Sequence, residues 1–154
     1  MKFRSFAATF ASLLFPVRCS SCLKSSAEDL GSFGICSKCR VNLQPGVSVS
    51  YRGLLKIFAG SKYTPNLSRI ILAAKEDNQI QARVFLAERL NQSLKKALQE
   101  ISSSRGQTIQ KIVIIPIPSR RLADRKRGFA HVELLVTQLI TLNKTLDIQV
   151  LNCL

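Results

Sequence analysis

The chain has 154 residues, of which 46% are hydrophobic, so it can bury one core of ordinary size and carry a small additional module. It has 23 Lys and Arg residues against 9 Asp and Glu residues, for a net charge of +14, which favours polyanions such as nucleic acids or phosphorylated ligands as partners. No apolar run is long enough to span a bilayer, so we expect a globular protein and exclude an integral membrane helix protein.

The N-terminus resembles a secretory signal, because Lys2 and Arg4 precede the apolar segment "FAATFASLLF". No small-x-small cleavage site follows, however, since Pro16 comes next. Five apolar residues also recur at the three- and four-residue intervals of an amphipathic helix: Phe3, Phe6, Phe10, Leu13 and Leu14. We therefore predict a docking helix that ends at Pro16, in a cytoplasmic protein.

Four cysteines form two C-x-x-C pairs, Cys19 with Cys22 and Cys36 with Cys39, and thirteen residues separate the pairs. Two such pairs can bring four thiolates to the corners of a tetrahedron, which is the geometry of closed structural zinc sites. Two disulfides in an exported protein and a redox-active C-x-x-C are the alternatives. The sequence favours structural zinc, in a zinc-ribbon-like module over residues 1–46.

The basic residues near this cluster can also serve the metal site. Four thiolates around Zn²⁺ leave a net charge of −2, and nearby cations can offset part of it. The cations closest in sequence are Arg18, Lys24, Lys38 and Arg40. The fifth cysteine, Cys153, has no partner in this scheme, and we expect it to be a thiol without a role.

Residues 47–154 are predicted to form a second domain. Its first elements are a short strand over Val47 to Tyr51, a short helix over Asn66 to Ala74 and a long helix over Gln79 to Ile101. The long helix is predicted to bury one apolar stripe: Ile80, Val84, Ala87, Leu90, Leu94, Leu98 and Ile101. A linker over residues 102–107 ends it.

The remaining elements predict a parallel sheet. The segment "IVIIPIP", Ile112 to Pro118, is typical of a strand buried on both faces. A helix over Val132 to Asn143 and a strand over Asp147 to Leu151 follow. This order is typical of an open, mostly parallel α/β domain, but two strands do not make a stable parallel sheet, so we expect that something else completes it.

The densest positive charge follows the predicted buried strand, because residues 105–131 contain seven basic residues and one acidic residue. Such a strand delivers the next loop to the carboxyl edge of the sheet, where ligands of open α/β domains bind. Ser119, Arg120 and Arg121 stand at that edge, and Arg is suited to bidentate phosphate contacts. A phosphate- or pyrophosphate-bearing ligand is one interpretation, and a solvated basic loop is the other.

Three segments together, "LLFPVRCSSC", "GICSKC" and "IIPIPSRRLADRKRGFAHVELL", resemble the ComF family of competence proteins. Members of that family join a small zinc-binding module to a phosphoribosyltransferase-like domain. The resemblance covers nearly the whole chain and implies that the loop from Pro118 to Arg121 receives the pyrophosphate of phosphoribosyl pyrophosphate. The full set of residues that it implies for phosphate binding is Pro118, Ser119, Arg120, Arg121, Arg125, Arg127, Gly128 and Lys75.

Two departures from the family pattern matter. Ala130 stands where the family has Asn, which removes a side-chain donor and acceptor. The family also holds ribose and Mg²⁺-pyrophosphate with a later strand that ends in adjacent acidic residues and with a Thr-Thr-Gly-type loop, and this sequence contains no such motif. We therefore expect an incomplete, apparently truncated transferase domain that is not catalytically competent alone, with Mg²⁺ bound only by a complete family domain.

Three functions follow from these patterns. The first is a ComF-like accessory protein in the uptake or processing of transforming DNA, with single-stranded DNA or competence machinery proteins as partners. The second is a zinc-ribbon nucleic-acid-binding module without enzymatic activity, although the aromatic residues are few and mostly on predicted core faces. The third is one half of a split phosphoribosyltransferase, completed by another chain.

Overall fold

The computed structural model describes residues 18–24, 30–31, 33–43 and 46–151. The predicted N-terminal helix and Cys153 lie outside these residues. The described chain is a mixed α/β structure with two small sheets. In chain order its elements are α1 (Ser37–Asn42), β1 (Ser48–Arg52), β2 (Leu55–Ala59), α2 (Pro65–Lys75), α3 (Ile80–Arg105), β3 (Lys111–Ile114), α4 (Arg121–Arg127), α5 (His131–Thr141) and β4 (Asp147–Val150).

Strands β1 and β2 form an antiparallel hairpin, with Ser48 opposite Ala59 and Arg52 opposite Leu55. Only two residues connect the strands, and Gly53, the first of them, has a φ of 60°. Glycine at that place is the usual choice in the two-residue turns that match strand twist. Strand β1 corresponds to the strand predicted over Val47 to Tyr51, whereas β2 was not predicted.

Strands β3 and β4 pair in parallel, with Lys111 opposite Asp147 and Ile114 opposite Val150. The predicted parallel pairing is therefore confirmed. The prediction that the first of these strands is buried on both faces is wrong within the described residues, because Val113, Ile115 and Ile117 are exposed. The reason is that β3 has a single strand neighbour there, and its residues alternate between exposed and half-buried.

Helix α3 is longer than predicted, since it continues through the expected linker to Arg105 and ends at Gly106, which has a φ of 65°. Its buried face matches the predicted stripe only in part, because Ala87 is buried and Val84, Leu94 and Leu98 are half-buried, but Ile80, Leu90 and Ile101 are exposed. The buried residues of α3 are Ala82, Arg83, Phe85, Ala87, Asn91 and Ser93. Small side chains on this face let neighbouring elements approach closely, which periodicity of large apolar residues does not show.

One hydrophobic core joins the cysteine segment to α2 and the first half of α3. Ile35 and Leu43 belong to it, together with Ile70 and Phe85, and the rings of Phe33 and Phe85 meet edge to face at 5.9 Å. The core therefore contains residues from both sides of the predicted domain boundary after Gly46, and that boundary stays a prediction.

The predicted basic loop contains helix α4, which begins after Arg120 and ends at Gly128, with a φ of 78°. Arg, Lys, Leu and Ala are good helix formers, and glycine in the left-handed conformation is a common helix end. Helix α5 confirms the predicted helix, and its buried residues are His131 and Leu139. No helix in the described ranges has the length and apolar character needed to cross a bilayer.

Candidate metal centre and basic cluster

The two cysteine pairs lie in different local structures. The first pair sits in a tight turn, where the N–H of Leu23 donates to the Cys19 carbonyl at 2.8 Å and Leu23 takes a φ of 63°. The second pair opens α1, because Cys36 precedes its first residue and Cys39 lies within it. The N–H of Cys36 donates to the Cys19 Sγ at 3.4 Å, so the backbone itself joins the two pairs.

The four sulfur atoms of Cys19, Cys22, Cys36 and Cys39 all lie within 4.8 Å of one another. The Cys22 and Cys36 Sγ atoms are 3.9 Å apart, and all four residues are free thiols. Tetrahedral coordination with bonds of about 2.3 Å places thiolates about 3.8 Å apart. The cluster therefore fits a single metal ion held by four thiolates, and the alternative of two disulfides does not describe it.

The thiols differ in how readily they ionise. Burial opposes ionisation of Cys19, but N–H groups of Cys22, Cys36 and Ser21 stabilise its thiolate and lower its pKa to about 7. The pKa of Cys39 is raised to about 12, mainly by burial and also by the neighbouring Cys36 and Cys22. A metal ion must therefore displace protons from the cluster, so its affinity rises with pH.

Side chains from distant parts of the chain hold the cysteine segment in place. Arg69 of α2 donates to the Ser21 carbonyl at 3.2 Å, and the Ser20 hydroxyl donates to the Gln79 side chain at 2.8 Å. Arg69 brings a positive charge to the segment that carries the thiolates. It is separated from Ser21 by 48 residues, so no local sequence signal identifies it.

A half-buried arginine connects α1 to α3. Arg89 donates to the Leu43 carbonyl at the end of α1, at 2.6 Å, and to the Gln92 side chain at 3.2 Å. Its guanidinium group lies 4.8 Å from the centre of the Phe85 ring. Burial lowers the pKa of Arg89, but the hydrogen bonds and the ring stabilise its charge. Arg89 thus stabilises the metal-binding segment against the long helix.

The residues predicted to bind phosphate fall into two groups. Pro118, Ser119 and Arg120 connect β3 to α4, as expected for a loop after a strand. Arg120, Arg121 and Arg125 are exposed, and none of them forms an ion pair with any described carboxylate. These three guanidinium groups are therefore available to an external anion.

The other predicted cations, Arg127 and Lys75, are engaged within the protein. The Arg127 side chain is only 7% exposed, and it contacts Asp124 at 2.7 Å and Glu76 at 3.3 Å. Its hydrogen bond to Asp124 raises its pKa. Lys75 lies 3.6 Å from Glu76. Arg127 and Lys75 both contact Glu76, and their acidic partners offset their charge. Gly128 ends α4 and is exposed.

His131 begins α5 beside this cluster, and the sequence analysis missed it. The residue is 8% exposed; it donates a hydrogen bond to the Ala74 carbonyl, while its Nδ1 is buried without a partner among the described residues. Burial lowers its pKa below the ordinary 6.5, against that hydrogen bond, and three cations lower it further: Arg127, Arg83 and Lys75. His131 is thus held neutral at an interface between α2 and α5.

This environment predicts a stability that depends on pH. Because the folded-state pKa of His131 is lowered, the unfolded chain takes up a proton at a higher pH than the folded chain. The stabilising contribution of neutral His131 is therefore fully present above pH 6.5 and is lost as the pH falls below it. We expect the melting temperature of the metal-loaded protein to fall between neutral pH and pH 5.

The matched variant is His131→Gln, which keeps an amide donor for the Ala74 carbonyl but does not titrate. His131 is the single histidine of the chain, so the difference between the two pH profiles isolates its titration. Thermal melts of both proteins across this range check the prediction. Identical pH profiles would contradict it.

Two comparisons with known proteins identify no relative of the chain. No protein-family model matches the chain, and the search of curated proteins found no match.

Proposed function

We propose that the cysteine cluster holds one structural Zn²⁺ ion. The mutual distances of the four sulfur atoms and the all-thiolate ligand set support zinc. Three of the cysteines belong to the hydrophobic core, so the metal would cross-link the core that α1, α2 and α3 share. Elemental analysis of the purified protein tests this, and one zinc per chain is the expected result.

We further propose that the chain is a ComF-like accessory protein of natural competence, with a phosphoribosyltransferase-like domain that binds a phosphate-bearing ligand. The main support is that a parallel strand, β3, leads into a connection and a helix that present Arg120, Arg121 and Arg125 without ion-pair partners among the described residues. Free guanidinium groups at the carboxyl end of a parallel strand suit a diphosphate. The sequence motifs carry the family assignment.

Calorimetric titration with phosphoribosyl pyrophosphate and with inorganic pyrophosphate tests the ligand proposal. The double variant Arg120→Ala with Arg121→Ala is expected to bind about tenfold to a hundredfold more weakly, because it loses charge-assisted hydrogen bonds. Arg105→Ala is the matched control, since Arg105 is also exposed but ends α3. Binding that the double variant retains in full would contradict the proposed site.

We propose that this chain alone does not transfer phosphoribosyl groups. Its sequence lacks the motif that would hold ribose and Mg²⁺, in which a strand ends in adjacent acids and leads into a Thr-Thr-Gly-type loop. Release of pyrophosphate from phosphoribosyl pyrophosphate by the purified chain should stay at background. Turnover above background would contradict this part of the proposal without affecting the ligand titration.

A split phosphoribosyltransferase is the second candidate. It is favoured by the exposed apolar residues of and after β3, namely Val113, Ile115 and Ile117, because parallel strands are normally covered on both faces. Co-purification from the native host tests it. A small α/β partner that restores pyrophosphate release would support this candidate over the accessory protein.

A further inference from the structure

The tip of the β1–β2 hairpin exposes an unusual group of apolar side chains. Leu54 is fully exposed, Leu55 is 70% exposed and Tyr51 is 69% exposed. Gly53, with its positive φ, makes the tight turn that holds the two leucines at the apex. Single exposed leucines are ordinary on protein surfaces, but a group of three large apolar residues on one projecting turn marks an interaction site.

The hairpin projects from a rigid support. All five residues of β1 are exposed, while the last residues of β2, Phe58 and Ala59, are half-buried. Helix α3 packs against β2, and Lys56 pairs there with Glu100. A two-stranded hairpin is marginal without such support, so α3 stabilises the hairpin and leaves its tip uncovered.

The charges around the tip are almost all positive. Arg52 adjoins the turn, and no acidic residue occurs between Gly46 and Lys75. Lys56 contacts Glu100, so the last turns of α3 lie beside the hairpin. Those turns contain the cations Lys96 and Arg105, and Glu100 is the acidic residue among them. The apolar apex is therefore flanked by Arg52 and Lys56, in a part of the chain where cations outnumber acids.

We propose that this end of the molecule docks onto the surface of an anionic lipid bilayer. Leu54 and Leu55 enter the boundary between headgroups and acyl chains, and Tyr51 lies at the headgroup level, where its ring and hydroxyl suit both environments. Arg52 and Arg105, which form no ion pair with any described carboxylate, contact anionic headgroups. The proposal goes beyond the proposed function and does not depend on it.

The chemistry of the apex favours lipid over nucleic acid. Single-stranded nucleic acids bind basic grooves in which bases stack on aromatic rings. Here the two outermost side chains are aliphatic, and they gain free energy by leaving water for an apolar phase. The nearest aromatic ring, that of Tyr51, already has the Lys56 ammonium group 5.9 Å from its centre.

Fluorescence provides a site-specific test because the chain contains no tryptophan. Leu54→Trp introduces a single reporter at the apex, and its emission is expected to shift to shorter wavelength with vesicles of equimolar phosphatidylcholine and phosphatidylglycerol. Leu122→Trp is the matched control, because Leu122 is also highly exposed but lies on α4. Its emission should not shift.

Vesicle flotation of the full chain measures the binding itself. Leu54→Ser with Leu55→Ser should weaken partitioning by about tenfold or more, and Arg52→Gln by about fivefold. Leu122→Ser should bind as the wild type does. High salt and vesicles of phosphatidylcholine alone should both reduce binding, since part of the attraction is electrostatic. All variants are at exposed positions, and circular dichroism checks that they fold.

Three results would overturn the proposal. The first is a wild-type chain that does not float with the equimolar vesicles. The second is flotation that the double serine variant leaves unchanged. The third is a wild-type chain that does not bind vesicles but binds a single-stranded oligonucleotide, with that binding abolished by Arg52→Gln. This result would assign the hairpin to nucleic acid.

Discussion

Cys39→Ser is expected to release the metal and to lower the free energy of unfolding by about 5 kcal/mol or more, the largest effect of any substitution considered. Cys39 is buried, and its pKa of about 12 means that it is a neutral thiol at pH 7 until a metal displaces its proton. Serine cannot supply the thiolate that completes the tetrahedron. Without the metal, the core cluster that includes Ile35 and Leu43 loses its cross-link.

Metal content by elemental analysis and a thermal melt check this prediction together. Cys153→Ser is the matched control, because it removes the one cysteine outside the two C-x-x-C pairs. The control should keep one zinc per chain and the wild-type melting temperature. A Cys39→Ser protein that retains its zinc and melts like the wild type would exclude the cluster as the metal site.

Gly60→Ala is expected to cost about 3 kcal/mol, which for a chain of this length lowers the melting temperature by roughly 10 °C. A Cβ at position 60 would lie well inside van der Waals contact with the backbone carbonyl of Arg89, and close to the Ser93 hydroxyl. The clash is with helix backbone, so no side-chain rotation relieves it. The close approach of Gly60 to α3 is what lets the hairpin join the helix.

Gly46→Ala is the matched control for this substitution, since a Cβ there meets no atom within 4 Å. Chemical denaturation of both variants measures the difference. Equal stability of the two variants would mean that the hairpin does not pack on α3 as described.

The metal cluster was predictable from sequence because its ligands come in two local pairs, and each pair forms within a turn or at a helix start. Helices α2, α3 and α5 were predictable because apolar periodicity marks any amphipathic helix. The pairing of Arg127 with Glu76 was not predictable in this way. Glu76 lies 51 residues away in sequence, so only folding brings the two together.

The predicted buried face of α3 was right at Ala87 and wrong at Ile80, Leu90 and Ile101. A periodic stripe of large apolar residues shows where a helix could be buried, whereas packing in the folded chain also buries small residues outside that stripe, such as Ala82 and Ser93. Helix α4 was hidden for a related reason. The high polarity of this segment predicts a loop. Arg and Lys also have good helix propensity, however, and Gly128 ends the helix that they form.

The sequence by itself determined the ligand set of the metal site, most of the helices and the parallel pairing of β3 with β4, because each depends on local spacing or on strand order along the chain. Only the tertiary structure decided which arginines are free, that His131 is held neutral, and that the hairpin raises Leu54 and Leu55 into solvent. Those properties depend on distances between residues far apart in sequence, and such distances exist only after the chain has folded.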